Sequence, residues 1–279
     1  MTTALARKKL LAFSAFLAEE ERSTATLSKY SHDVNTFLAF ADDGEITKST
    51  VLAYKEYLGE HYAVSSANSM LAALNSFFRF LGNASLCVKQ FKLQRQAFCP
   101  EEKELSKEEY RRLVAAAEAQ GNEALSLIIQ SICATGIRVS ELRFITAEAV
   151  RSGEASVHCK GKTRRIFIVS ALRKRLSAYA KDQGIVAGPI FLSHTGKPLD
   201  RSRIWRNMKC LCRAANVSPT KVFPHNLRHL FARIFYGIEK DIVKLADVLG
   251  HTSINTTRIY TVTTGEEHRR CMETMRLIL

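Results

Sequence analysis

Apolar residues recur through the first eighty positions at the three-and-four spacing of helices that bury one face. Residues 4–20 and 23–41 each fit one amphipathic helix; in the second, Leu27, Tyr30, Val34, Phe37 and Leu38 share a side. Asp42-Asp43-Gly44 ends that run. A third helix is expected over 47–58. A fourth is expected over 65–81, with Leu71, Leu74, Phe77, Phe78 and Leu81 apolar and Gly82-Asn83 as its stop. Four short helices on short loops predict a compact all-α unit. On spacing alone, such a unit serves binding, dimerisation or regulation equally.

The pattern then breaks. Residues 88–105 are polar, with Lys89, Lys92 and Arg95, then Pro100 and the charged run Glu101-Glu102-Lys103-Glu104. This reads as a linker between a domain at 1–87 and a second at 106–279. Ser106-Lys107-Glu108-Glu109 is a capping box opening a helix over 107–119. The helix expected over 123–134 is apolar through Leu125, Leu127, Ile128, Ile129 and Ile132, which predicts burial, and Gly136 ends it. Arg138 then begins a short helix, with Glu141 one turn on to orient it.

Residues 155–159 and 165–169 carry the alternation and β-branching of strands. Lys160-Gly161-Lys162-Thr163-Arg164-Arg165 lies between them, predicting a β-hairpin with a basic tip. A helix follows over 170–183 with Ser170 as cap, then a short extended piece at 188–192. Residues 201–215 form a basic amphipathic helix with Arg201, Arg203, Arg206, Lys209 and Arg213, and the only Trp, Trp205. Further helices are expected over 241–249 and, amphipathic again, over 261–279. The expected fold class is mainly α with a small β-sheet.

Composition narrows the class. Hydrophobic residues make up 46% of 279, enough for a buried core, and no apolar run reaches membrane-spanning length. The N-terminus lacks the apolar run of a signal peptide. The seven cysteines are odd in number and scattered, and Cys210-Leu211-Cys212 has no second pair at zinc spacing. A metal site is therefore not expected, and a cytoplasmic location is. Net charge is +14; residues 1–98 hold 11 Lys+Arg against 9 Asp+Glu, and the remainder 30 against 18. The basic excess in the second domain points to a polyanionic partner.

The densest chemistry lies in 223–260. Phe223-Pro224-His225-Asn226-Leu227-Arg228-His229 precedes an apolar helical run, and Leu249-Gly250-His251-Thr252-Ser253-Ile254 leads to Thr257-Arg258-Ile259-Tyr260. Imidazoles, a guanidinium and a phenol suit a phosphodiester. A guanidinium forks onto two phosphate oxygens and keeps its charge. A phenol titrates near pH 10, so as a nucleophile it needs a base or nearby cations. His225 lies three residues before Arg228 on one helix face. Gly250 marks a helix end, and Ser253 stands where an N-cap would start the segment bearing Tyr260.

These motifs resemble the tyrosine recombinases of the phage-integrase and Xer type. His225-Asn226-Leu227-Arg228-His229 is similar to that family's His-x-Leu-Arg-His box. Leu249-Gly250-His251 with Tyr260 is similar to its second box. Gly136-Ile137-Arg138-Val139-Ser140-Glu141-Leu142 is similar to the box that carries its first arginine. The resemblance covers nearly the whole chain. It implies a core-binding, SAM-like DNA-binding domain followed by a catalytic domain, and a catalytic set of Arg138, Lys160, His225, Arg228, His251 and Tyr260. The catalytic lysine is expected immediately before the hairpin glycine, hence Lys160, with Lys162 as competitor. Lys162, Arg164, Arg165, Arg201 and Arg203 are expected on DNA phosphates.

The implied reaction cuts and rejoins DNA through a 3′-phosphotyrosine without metal or other cofactor. The implied partners are a double-stranded recombination site and further copies of the chain, four at the synapse, with no membrane involved. The last helix would dock on a neighbouring copy or on its own domain. Integration or excision of a mobile element is the expected role, and Xer-like resolution of chromosome or plasmid dimers the alternative. With no room before residue 4 for an arm-binding domain, short inverted-repeat sites are expected. A type IB topoisomerase would use the same chemistry to relax DNA, but the small helical first domain and the Gly250-His251 box favour a recombinase. A DNA-binding regulator that never cuts is the non-enzymatic alternative, against which the complete six-residue set argues.

Overall fold

Capping side chains set the helix starts in the first part of the chain. The computed structural model describes residues 2–42, 44–92, 104–159, 162–193, 195–251, 253–260, 269 and 272–275, with the backbone alone at Cys159 and Lys162. The chain divides into two units, Met1–Arg95 and Gln96–Leu279.

In the first unit, α1 (Thr3–Lys8), α2 (Leu10–Glu19), α3 (Thr24–Phe40), α4 (Lys48–His61) and α5 (Val64–Phe80) are followed by a 3-10 turn, Ala84–Leu86. Thr2 caps α1, Ser23 caps α3, and Thr47 with Thr50 makes a capping box on α4. The single helix expected over 4–20 is two. Lys9 ends α1, and its N–H returns to Ala6 O at 3.1 Å. The core is aromatic: Phe13 meets Phe77 edge-on at 5.1 Å, and Phe37 meets Tyr54 at 5.1 Å. Two α5 asparagines, seven residues apart, then hold the departing chain. Asn75 exchanges hydrogen bonds with both backbone groups of Val88 and Asn68 with both of Phe91.

The second unit starts with the expected capping box. Ser106 accepts from the Glu109 N–H at 3.1 Å, and Glu109 accepts from the Ser106 N–H at 2.8 Å. Then come α6 (Lys107–Ala119), α7 (Glu123–Thr135), a 3-10 turn (Val139–Phe144), α8 (Ala147–Ser152), β1 (Glu154–Cys159), β2 (Lys162–Phe167), α9 (Ser170–Asp182) and α10 (Arg201–Ala214). The order closes with α11 (Pro224–Glu239), α12 (Ile242–Leu249), α13 (Ile254–Thr257) and a 3-10 turn at Arg258–Tyr260. As its apolar run requires, α7 is central: Leu127, Ile129 and Ile132 are fully buried, and it packs on α6, α9 and α11.

The hairpin is tighter than expected. β1 and β2 pair antiparallel from Glu154↔Phe167 to Cys159↔Lys162, leaving a two-residue connection. Lys162, Thr163, Arg164 and Arg165 are therefore strand residues, because ladder pairing outweighs the turn-like look of a charged run. Ser170 is the first residue of α9 rather than its cap; Val169 holds that place, with no side-chain bond. Ser253 stands at the N-cap of α13 but makes no capping bond, and the helix runs only four residues before tightening. The helix expected over 261–279 falls outside the described residues except at 269 and 272–275. No helix among the described residues is long and apolar enough to cross a membrane.

Candidate active site

Three chain reversals bring the site together. The first follows α7, where Gly136 takes φ 65° and ends the helix. A Cβ there would stand 2.5 Å from the Phe231 ring, so both conformation and space demand glycine. The chain leaves through buried Ile137 and presents Arg138 at the mouth of the 3-10 turn. Glu141 faces back: one carboxylate oxygen accepts the Arg138 backbone N–H at 2.9 Å, the other its Nη1 at 2.8 Å. Burial pushes the Glu141 carboxyl upward, but the Arg138 hydrogen bonds and the Arg164 charge outweigh it, and it sits below its ordinary range.

The second reversal starts α11, with Pro224 in the first turn, where its missing N–H costs nothing. His225, Arg228 and His229 then share a face. Arg228 is 1% exposed. Its Nη1 donates to Gly136 O, and its Nη2 donates to Leu249 O at 2.7 Å and to His251 Nε2 at 3.1 Å. Burial and the neighbouring Arg138 lower its pKa to about 10.

The third reversal ends α12 at Gly250, φ 64°. Beyond it, His251 Nδ1 meets the Thr257 hydroxyl at 2.9 Å. Arginine only donates, so His251 Nε2 must accept and the proton sits on Nδ1, directed at Thr257. Burial, then Arg228 and Arg138, push His251 down to about 4. Burial, then His225 and Arg233, do the same to His229, also to about 4. His225 is lowered by burial, Arg228 and Arg138.

Tyr260 closes the cluster at 3% exposure. Its ring stacks on His251 at 5.7 Å and meets His229 edge-on at 4.5 Å, with His225 at 6.3 Å. The Tyr260 phenol also acts on Arg228, opposing the fall in its pKa. Arg138, His225, Arg228, His251 and Tyr260 thus converge on one place. Lys160 lies outside the described residues, as does the side chain of its competitor Lys162.

The other basic residues separate. Arg165 is exposed and faces Glu154 at 3.8 Å. Arg201 and Arg203 are exposed on α10. Arg201 and Trp205 line a groove of about 640 Å³ that reaches His225. Arg164, expected at an exposed tip, turns inward to Glu141 at 2.5 Å and Val248 O at 2.5 Å. Period-two alternation carried that signal, since Arg164 shares a strand face with buried Ile166. Thr257 and His229 are further members for which sequence reasoning supplied no role; both share a face with a named residue, three positions before Tyr260 and one turn after His225.

Residues 103–267 match the Phage integrase family, and residues 10–84 match the Phage integrase N-terminal SAM-like domain. The chain is 31% identical over 284 residues to the tyrosine recombinase XerC of Roseiflexus castenholzii, covering 90% of this chain and 87% of that one. It is 29% identical over 279 residues to the tyrosine recombinase XerD of Halalkalibacterium halodurans, covering 90% and 91%. Among solved structures it resembles a lambda integrase dimer bound to a COC′ core site, with TM-score 0.74 and 20% identity over 93% of this chain and 95% of that one.

Proposed function

The chain belongs to the phage integrase family, and from that premise we propose that it is a site-specific recombinase of double-stranded DNA working through a covalent phosphotyrosine. One observation carries the reading: the buried Tyr260 ring stacks on His251, whose Nε2 accepts from the buried Arg228 guanidinium at 3.1 Å.

In this reading the phenol oxygen of Tyr260 attacks the scissile phosphorus. The bond to the 5′-oxygen breaks, leaving a 3′-phosphotyrosyl strand and a free 5′-hydroxyl. His225 takes the phenolic proton; burial and its arginine neighbours keep it neutral and so able to accept. His229 has the closer ring, but a pKa of about 4 makes it a poor base. Arg138 and Arg228 stabilise the added negative charge of the transition state, and preorganised donors of this kind contribute about 3–4 kcal/mol each. His251 hydrogen-bonds a phosphate oxygen, and Lys160 protonates the leaving 5′-oxygen. The partner strand's 5′-hydroxyl then reverses the sequence, so the phosphodiester energy is conserved. The first unit serves as a DNA-gripping core-binding domain, and four copies act together at the synapse.

Similarity over nine-tenths of the chain to proteins named XerC and XerD supports a second reading of the biological role, resolution of chromosome or plasmid dimers. Integration or excision of a mobile element is the first. Deleting the gene separates them: accumulation of dimeric replicons marks resolution, and arrest of a mobile segment marks integration. The chemistry is tested by incubating the protein with a randomised duplex library carrying nicks, followed by denaturing capture. Covalently held DNA mapped by mass spectrometry to Tyr260 supports the reading, and an adduct elsewhere, or none, contradicts it.

A further inference from the structure

Arg228 is not the only guanidinium gripping the end of α12. Its Nη2 takes the Leu249 carbonyl at 2.7 Å, while Arg164 Nη1, arriving from β2, takes the preceding carbonyl of Val248 at 2.5 Å. Two cations thus satisfy neighbouring carbonyls at the negative end of a helix. The next two residues are Gly250 and His251. Gly250 makes the approach possible, since a Cβ there would stand 2.5 Å from Arg164 Cδ. The other Arg164 nitrogen, Nη2, bonds Glu141 Oε2, the oxygen that also accepts the Arg138 backbone N–H. One side chain therefore joins three segments distant in sequence: the hairpin, the 3-10 turn behind Arg138, and the loop that presents His251.

We infer that Arg164 is a positioning residue for the phosphate site, bracing Arg138 through Glu141 and His251 through the end of α12, and that it makes no DNA contact. The inference rests on the recombinase reading above. Arg164 has little left to offer a phosphate: both terminal nitrogens have protein acceptors, its side chain is 12% exposed, and its Nε is buried without a partner. Arg138, by contrast, is 38% exposed. The 3%-exposed Glu141 carboxylate is shared between the two arginines, so Arg164 draws off part of a negative charge that would otherwise face Arg138 alone. Without Arg164, Glu141 is free to close on Arg138 and screen it from the incoming phosphate.

The experiment compares wild type, Arg164→Met and Arg164→Lys in two arms. The first is amide hydrogen exchange on the full chain without DNA. The inference predicts faster exchange in Arg164→Met over 139–144 and 246–251, with α7 and the first unit unchanged. Unchanged exchange in both segments overturns it. The second arm uses a duplex recovered from the nicked randomised library by the wild-type protein. At saturating duplex the adduct-forming rate of Arg164→Met should fall by about 10²-fold, the scale of a reactive group misplaced by about 1 Å. The dissociation constant and its salt dependence should not change. Arg164→Lys, whose ammonium can reach one of the two acceptors, should recover part of the rate.

If Arg164 is instead a phosphate contact, binding weakens, the salt slope falls by about 0.9, and the saturated rate is retained; that result overturns the inference. If Arg164→Met loses protection throughout, Arg164→Lys carries the test, and a folded lysine variant with wild-type exchange at 246–251 and wild-type rate overturns it. Failure of the wild type to form any adduct sinks the recombinase reading, and the exchange arm still decides the brace.

Discussion

Arg228 donates from Nη2 to Nε2 of His251 across 3.1 Å, and that single bond decides which imidazole nitrogen holds the proton. With Nε2 accepting, Nδ1 carries the hydrogen and directs it to Thr257. In the proposed mechanism His251 donates to a phosphate oxygen from Nε2, which requires Nε2 to give up the Arg228 contact and gain a proton.

Stability should depend on pH through His229 and His251. Both have folded pKa values of about 4, below the ordinary histidine value of 6.5. Between those values the unfolded chain binds more protons than the folded one, so stability rises with pH across the window. The histidine contribution is fully present above about pH 6.5, falls as acid is added, and levels near pH 4. Urea midpoints measured through this range should show the decline, and His229→Asn should flatten it. A pH-independent midpoint contradicts the assignment.

Thr257→Val removes the Nδ1 partner of His251 while keeping side-chain shape. Thr257 is fully buried, so the imidazole N–H is left without an acceptor, at a cost of about 1–3 kcal/mol. The expected results are a lower melting temperature and a changed His251 tautomer, read from imidazole nitrogen shifts. Wild-type shifts would show that Thr257 does not fix the ring.

Gly136→Ala forces a Cβ onto the Phe231 ring and holds alanine at φ 65°. Strain plus overpacking should lower stability by about 2–4 kcal/mol in equilibrium urea unfolding. Because Gly136 O also receives Arg228 Nη1, adduct formation should slow more than stability alone explains. A neutral effect would mean the turn after α7 is looser than described.

In the proposed mechanism arginines supply the charge that faces the phosphate, so chelation should leave the reaction intact. Adduct formation in EDTA is expected at the wild-type rate. A strict requirement for added Mg²⁺ would contradict this mechanism.

Much of the fold was legible because its signals are local. The Ser106 capping box, the Gly136 and Gly250 stops and the continuous apolar face of α7 each announce an element without outside help. The break at Lys9 was not legible, since Leu10–Glu19 continues the same apolar periodicity and only the return of the Lys9 N–H to Ala6 marks the joint. The hairpin itself was legible but its tip was not: Lys162, Thr163 and Arg164 read as a turn, while pairing with β1 decided their state. In the site, the residues with a motif around them could be named as candidates from the sequence. Thr257 could not, because its contact with His251 follows from the fold rather than from a motif, and Arg164 read as a phosphate contact although its alternation with Ile166 pointed inward, to partners as far as 84 positions away.

The most direct measurement is the covalent assay on Tyr260→Phe. A labelled duplex that the wild type captures is offered to both proteins at saturating concentration, and the denatured products are separated by size. The account predicts that the variant binds the duplex with wild-type affinity and forms no protein–DNA adduct. A normal adduct from the phenylalanine variant would contradict it, because the bond would then have formed at another residue.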